Sequence, residues 1–263
     1  CNEFLDEGEL IVYTEGKYRG KEEVFSDEDG RLKHIELAVL INEGSASASE
    51  IVSGCMQDLD RGIIIGKRSF GKGLVQEEIK LSDGSAVRLT TQYYYIPSGR
   101  SIQRPYENSE LEYNLEPFTR DKNKELEVTD SLKYTTKNGR PVFGGGGVTP
   151  DSIMFSDTTL NYKKFNQVLS NNWVSEFSLQ YQSRVDKSKG QNSLDRDLIY
   201  LEFKNYVKTK NSDFDLTMGE KEETDLKIRI KATIAKNIWD DNIYFKILSE
   251  DDEYILKSVQ ILH

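Results

Sequence analysis

The feature that most constrains this chain is a pair of short apolar runs separated by one helix-length segment. Ile35–Asn42 is a nearly continuous apolar run, and Gly62–Lys67 carries Ile63, Ile64 and Ile65 at its centre. Runs of this length bounded by turn residues read as strands buried on both faces, as in an α/β sheet. Between them, Glu43-Gly44 forms a turn and Ala46–Leu59 reads as a helix. Its residues Ile51, Cys55 and Leu59 repeat at i, i+4 and i+8 on one face. Strand, helix, strand in that order predicts a βαβ-like unit, whose short turns hold side chains on a rigid frame. The fold class expected is α/β.

The remaining segments are read around that unit. Leu10–Thr14 is a β-branched and aromatic strand, and residues 17–33 form a charged hairpin or loop. Leu74–Leu81 and Ala86–Ile96 are strands joined by a Ser82-Asp83-Gly84-Ser85 turn. From about 106 to 140 the chain is polar and poorly periodic, a surface excursion that returns through Val142-Phe143 to Gly144–Gly147. Beyond residue 156 helical periodicity takes over. Val168, Leu169, Trp173 and Phe177 repeat at helical spacing, as do Leu226, Ile230, Ile234 and Ile238. Asp195–Val207 and Tyr254–Leu262 also read as amphipathic helices. The expected division is residues 1–156 as a core and 157–263 as a helical region.

Composition removes several classes of function. With 37% hydrophobic and 30% charged residues, the chain reads as globular with a wetted surface. No run approaches the roughly 18 apolar residues of a membrane-spanning helix. A net charge of −10 opposes a nucleic-acid partner, which needs a basic face. Two cysteines, Cys1 and Cys55, make neither a disulfide framework nor a zinc cluster, and no metal or cofactor is expected. Of the two histidines, His263 is the last residue and His34 reads as a surface side chain. A hydrolase built on this chain therefore needs a base other than histidine.

Two short segments have the residue types for chemistry. In Gly44–Glu50, Ser47 falls at the start of the predicted helix, where free N–H groups can stabilise an oxyanion. The same Ser47-x-x-Glu50 spacing is a capping box, the ordinary reason for a serine at a helix start. In Gly71-Lys72-Gly73, the lysine is either a solvated loop charge or one whose neighbours were kept small for access. Gly66–Lys72 has the glycine and lysine spacing of a phosphate-binding loop. Gly73 replaces the required Ser or Thr, however, and a strand rather than a helix follows. A lysine whose pKa is lowered enough to be neutral can serve a serine nucleophile as base. Gln76 follows Lys72 at i+4, on the same face of a strand, and could orient it.

The stretches Leu40–Glu50 and Gly66–Gln76 closely resemble the carboxy-terminal processing peptidases, or tail-specific proteases. So do Tyr94–Gln103 and Gly146–Asp151, and the 25-residue step from Ser47 to Lys72 fits that family's serine and lysine. The resemblance implies Ser47 as nucleophile, neutral Lys72 as general base, Gln76 as its positioning residue and Ala48 N–H as an oxyanion donor. It implies a crotonase/Clp protease-like peptidase core with a mostly helical C-terminal region. The reaction would be endopeptidase cleavage through an acyl-enzyme, on protein substrates with apolar C-terminal tails. It also implies an extracytoplasmic site of action, periplasmic or membrane-associated, and a PDZ domain in the intact parent. The PDZ domain and a Gly-rich segment giving the second oxyanion donor are expected upstream of Cys1, so this segment alone is expected to be weakly active or inactive.

Two other readings compete. One is a non-catalytic peptide-binding or scaffold relative of the same fold, against which the joint presence of Ser47, Lys72 and Gln76 argues. The other is a thioester enzyme of the crotonase type, for which no coenzyme-binding feature is found. The helical tail reads as ordinary packing, with homo-oligomerisation as the alternative.

Overall fold

The computed structural model describes residues 1–28, 30–106, 109–120, 132–155, 157 and 159–263. The fold is mixed α/β and divides into two compact units, Cys1–Ser156 with Ser258–His263, and Asp157–Lys257. The first unit runs β1 (Leu10–Gly16), β2 (Arg19–Phe25), β3 (Ala38–Ile41), α1 (Ala48–Asp58), β4 (Ile63–Gly66) and β5 (Leu74–Lys80). It continues through β6 (Ala86–Tyr95), α2 (Glu110–Thr119), β7 (Lys133–Thr135), β8 (Pro141–Phe143) and β9 (Ser152–Ile153).

The βαβ unit is present. β3 and β4 pair in parallel, Ala38 opposite Ile63 and Ile41 opposite Gly66, and β9 adds in parallel beside β4. One expectation needs correction: the first strand is shorter than Ile35–Asn42 and is not buried on both faces. Leu40 is 40% exposed while Ile41 is 4% exposed. Successive strand residues point to opposite faces, and at the edge of this sheet only the Ile41 face is covered. In β4, between its two neighbours, Ile64 and Ile65 are fully buried.

A second, antiparallel sheet has the order β2-β1-β6-β5, with Tyr13 opposite Tyr95 and Leu74 opposite Tyr93. The charged segment after β1 is thus a hairpin, and the β5–β6 turn is closed by Asp83 Oδ1 accepting from Ser85 N–H. α1 packs its apolar face into a core with Val12, Ile41, Ile64, Tyr94, Ile96 and Val148. Each fully buried side chain there, Met56 and Ile64 among them, contributes roughly 1.5–3 kcal/mol.

The polar excursion holds a helix that periodicity did not reveal. Ser109 caps α2 and pairs with Glu112 as a capping box, a signal present in the sequence. Residues 107–108 and 121–131 of that excursion lie outside the described residues. His34 is exposed, and both cysteines are free thiols. Burial pushes the Cys55 thiol up to about 12, so it is inert at neutral pH.

The second unit is helical: α3 (Lys163–Ser170), α4 (Trp173–Tyr181), α5 (Arg196–Lys210), α6 (Glu220–Ile238) and α7 (Asp241–Ser249). α8 (Glu253–Leu262) is the last element of the chain. The Val168–Phe177 repeat is split into two helices by Asn172, which takes a left-handed turn at φ 58°. α5 and α6 bury Ile199, Phe203, Leu226, Ile230 and Ile234 against one another in one apolar cluster. α7 was not foreseen; Asp240 caps it by accepting from Ile243 N–H at 2.9 Å. Among the described residues no helix is long and apolar enough to cross a membrane.

Candidate active site

β3 delivers the chain into a tight turn in which Asn42 Oδ1 accepts from Gly44 N–H and Ser45 Oγ accepts from Asn42 N–H. Ser47 then opens α1. An ordinary N-cap is extended, but Ser47 sits at φ 57°, ψ −116°, in a region L-residues rarely adopt. Ser47 and Glu50 do form a capping box, with Glu50 Oε2 accepting from Ser47 N–H at 3.0 Å. Capping explains the helix start but not that torsion, which costs on the order of 1–3 kcal/mol. The N–H of exposed Ala48, first in α1, meets no acceptor among the described residues.

The loop after β4 is fixed to the same helix by Glu50. This carboxylate is fully buried and accepts four hydrogen bonds, all from the two segments that carry chemistry. Besides Ser47 N–H, the donors are Ser69 Oγ at 2.5 Å, Gly71 N–H at 2.7 Å and Lys72 N–H at 2.8 Å. An ionised carboxylate offers about four acceptor positions, so every one is filled and the desolvation cost of burial is offset. Phe70 N–H adds a bond to the Ser45 carbonyl at 2.9 Å. Ser69 Oγ also accepts from Val148 N–H, which brings the Gly146–Asp151 segment into the same network.

On the carbonyl side, the single hydroxyl proton of Tyr94 is shared between two carbonyls, that of Lys72, which is the nearer, and that of Ser47 at 3.1 Å. Tyr94 is 3% exposed, and burial together with the Glu50 charge holds its phenol above the usual range. The glycines beside Lys72 have packing roles rather than access roles. Gly71 lies at φ 91°, and a Cβ on Gly73 would stand 2.9 Å from Gln103 N.

The structure therefore brings the Ser47 and Lys72 backbones together through Glu50 and Tyr94. Lys72 is half-buried, and its Nζ has no hydrogen bond or ion pair with another described residue. Gln76 is exposed on β5. The expected strand relation between Lys72 and Gln76 is not found: Lys72 precedes β5, and the register shifts between Val75 and Gln76. No hydrogen bond joins the two side chains.

The far end of α1 is built differently. Arg100, fully buried, lies 2.9 Å from Asp58 and donates to Gln57 Oε1 and Phe143 C=O. Gln57 in turn donates to Asp151, which also accepts from Ile64 N–H and Arg140. The Tyr94–Gln103 and Gly146–Asp151 motifs thus anchor α1 and β4. A cavity of about 320 Å³ at this end, bordered by Glu9, Asp58, Ser98 and Lys137, contains neither Ser47 nor Lys72. Sequence reasoning saw Glu50 only as a cap partner and did not single out Tyr94 or Ser69. Apart from the Ser47 cap of Glu50, the hydrogen-bond partners of these side chains are 19 to 79 residues away, beyond any local pattern.

Comparison with known proteins places the amino-terminal region. Residues 1–111 match the model of peptidase family S41. A carboxy-terminal-processing protease of Bartonella bacilliformis is 52% identical over 101 residues, covering 38% of this chain and 23% of that protein. A chloroplastic C-terminal processing peptidase of Tetradesmus obliquus is 39% identical over 101 residues, 38% of this chain and 21% of its own length. A probable CtpA-like serine protease of Staphylococcus saprophyticus is 26% identical over 196 residues, 74% of this chain and 36% of its own. Among solved structures, a photosystem II D1 C-terminal processing protease aligns with 27% identity and a TM-score of 0.40, over 58% of this chain and 29% of that one. The chain spans well under half the length of these relatives.

Proposed function

We propose, from the premise that residues 1–111 are a segment of peptidase family S41, that the intact protein is a carboxy-terminal processing serine peptidase with a Ser47–Lys72 dyad. In this reading residues 1–156 are the peptidase part and 157–263 a helical appendage. Ser47 Oγ attacks the scissile carbonyl while Lys72 Nζ, as general base, takes the hydroxyl proton. The oxyanion that forms is met by the free Ala48 N–H at the start of α1. Lys72 then gives the proton to the leaving amine, which leaves an acyl-enzyme. Water deprotonated by Lys72 attacks that ester and releases the new C-terminus and Ser47. Gln76 orients Lys72 once substrate is in place, a hydrogen bond of the kind that often tightens only in the substrate complex. Substrates are proteins with apolar C-terminal tails, met outside the cytoplasm.

The observation that carries this reading is the Glu50 carboxylate, which receives the N–H groups of both Ser47 and Lys72 and so holds the two residues in one site. The test is degradation of casein by the intact protein beside Ser47→Ala and Lys72→Ala variants. Both variants should lose at least roughly 10³-fold in rate, as removal of a catalytic group does. An inert parent, or variants that cleave as well as the parent, would move the protein to a peptide-binding or scaffold role.

A further inference from the structure

The four backbone polar groups of Ser47 and Lys72 converge on two side chains, and the Ser47 C=O also accepts from Glu50 N–H at 2.9 Å and Ile51 N–H at 3.0 Å in the first turn of α1. Both N–H groups are bound by Glu50, and both C=O groups face the Tyr94 hydroxyl. The Ser47 carbonyl belongs to the same peptide plane as the Ala48 N–H, because a peptide unit is planar and trans. Whatever fixes the direction of Ser47 C=O therefore fixes, in the opposite sense, the direction of Ala48 N–H. That plane is set by the Ser47 ψ of −116°, paired with a positive φ that needs support from outside the residue. The helix N–H groups of Glu50 and Ile51 supply part of it, and Tyr94 adds a side-chain donor from β6, a strand of the antiparallel sheet, with a ring seated in the core of α1. Its backbone N–H donates to Gly73 C=O at 3.0 Å, so the same residue holds two successive carbonyls of the loop, those of Lys72 and Gly73, just after the Lys72 Cα.

We infer that Tyr94 is a positioning residue: its hydroxyl aims the Ser47–Ala48 peptide, and with it the oxyanion-binding N–H, and keeps the Lys72 backbone at a fixed distance. The inference rests on the Ser47–Lys72 reading above. It predicts a loss at the acyl-transfer step and not at substrate binding, since Tyr94 is buried and touches the reacting residues only through their carbonyls. The Ser47 carbonyl keeps its helix bond from Ile51 N–H at 3.0 Å, so removing the phenol oxygen leaves α1 formed.

The experiment uses the intact protein with Tyr94→Phe, which keeps the ring in the core, and Tyr95→Phe as a neighbour whose ring stacks on Tyr13 instead. Casein cleavage and the rate of Ser47 labelling by a fluorophosphonate are both expressed per folded molecule, taken from thermal melts. Tyr94→Phe should lower kcat and the labelling rate roughly 10- to 100-fold, the range that follows from misplacing reacting groups by about 1 Å. KM should stay within about twofold of the parent, as expected when only a transition-state interaction is lost. Tyr95→Phe should keep the parental rate. Unchanged kcat and labelling per folded molecule in Tyr94→Phe would overturn the inference, as would a loss confined to KM. Failure of the dyad reading looks different: the parent itself would neither cleave casein nor label at Ser47.

Discussion

The two units bury different kinds of side chain. The helical unit, Asp157–Lys257, packs an almost purely apolar interior around Phe203, Leu226, Ile230 and Ile234, with Ser178 and Glu222 as the buried polar residues among those described. The unit formed mainly by Cys1–Ser156 buries Glu50, Gln57, Asp58, Ser69, Gln92, Arg100 and Arg104. Buried polar groups weaken a fold unless each finds a partner. The first unit carries them at both ends of α1: one end holds Ser47 and Lys72 together, and the other locks the helix to its loops. Apolar packing stabilises without direction, while hydrogen bonds fix orientation. The difference marks the first unit as the one shaped for a site.

The largest expected effects separate these two modes. Phe203→Ala in the helical unit should cost about 3–5 kcal/mol in urea unfolding, by loss of burial and creation of a cavity. Asp58→Ala should cost about as much, 3–5 kcal/mol, because it strands the buried Arg100 guanidinium, whose ionisation burial already disfavours. The contrast appears in the rescue. Replacing both Asp58 and Arg100 by Met should recover most of the stability lost by Asp58→Ala, since apolar residues can substitute for a buried ion pair. A double variant no better than Asp58→Ala would mean that the pair is not the fault line of this unit.

A smaller effect concerns acid. At Asp60, burial raises the carboxyl pKa, but hydrogen bonds from Thr136, Arg140 and Asn138 N–H outweigh it and leave the group below its usual range. Asp215 is likewise held low, chiefly by its bond to Lys164. A folded value below the unfolded one, about 3.9 for Asp, means the contribution is complete above that pH and is lost as pH falls through the folded value. Both units should therefore lose stability below about pH 4. The side chain of Asp60 is 7% exposed and that of Asp215 is 65% exposed. At roughly 1 M salt, where the screening length is about 3 Å, only the exposed pair should be weakened much. Both tryptophans, Trp173 and Trp239, lie in the helical unit, and both cysteines lie in the other. Tryptophan fluorescence thus follows the helical unit alone, and amide hydrogen exchange of α1 follows the other. Salt should shift the acid midpoint of the helical unit and leave that of the other unit nearly in place; equal shifts would erase the distinction.

Much of the frame was legible from local patterns. The βαβ unit, the β5–β6 hairpin and the α5 and α6 helices follow from periodicity and turn residues, which act within a few positions. α2 had a readable signal in Ser109-x-x-Glu112 that its polar surroundings hid. The break at Asn172 and the short β3 were not legible, because a left-handed turn and an uncovered sheet edge depend on what packs nearby.

The sequence by itself determined the segments: which runs become strands, where α1 starts, and that Ser47 sits in the first turn of one βαβ unit and Lys72 in the turn that follows it. Only the tertiary structure decided how those turns meet. Glu50 carries a local signal for one partner, Ser47, but its bonds to Ser69, Gly71 and Lys72 span about twenty residues. Tyr94 is one of three consecutive tyrosines, and nothing local distinguishes the one that turns inward. Strand alternation decides it: Tyr93 faces water while Tyr94 enters the core. Which face becomes the core is set by the α1 helix packed there, a contact between segments far apart in the chain.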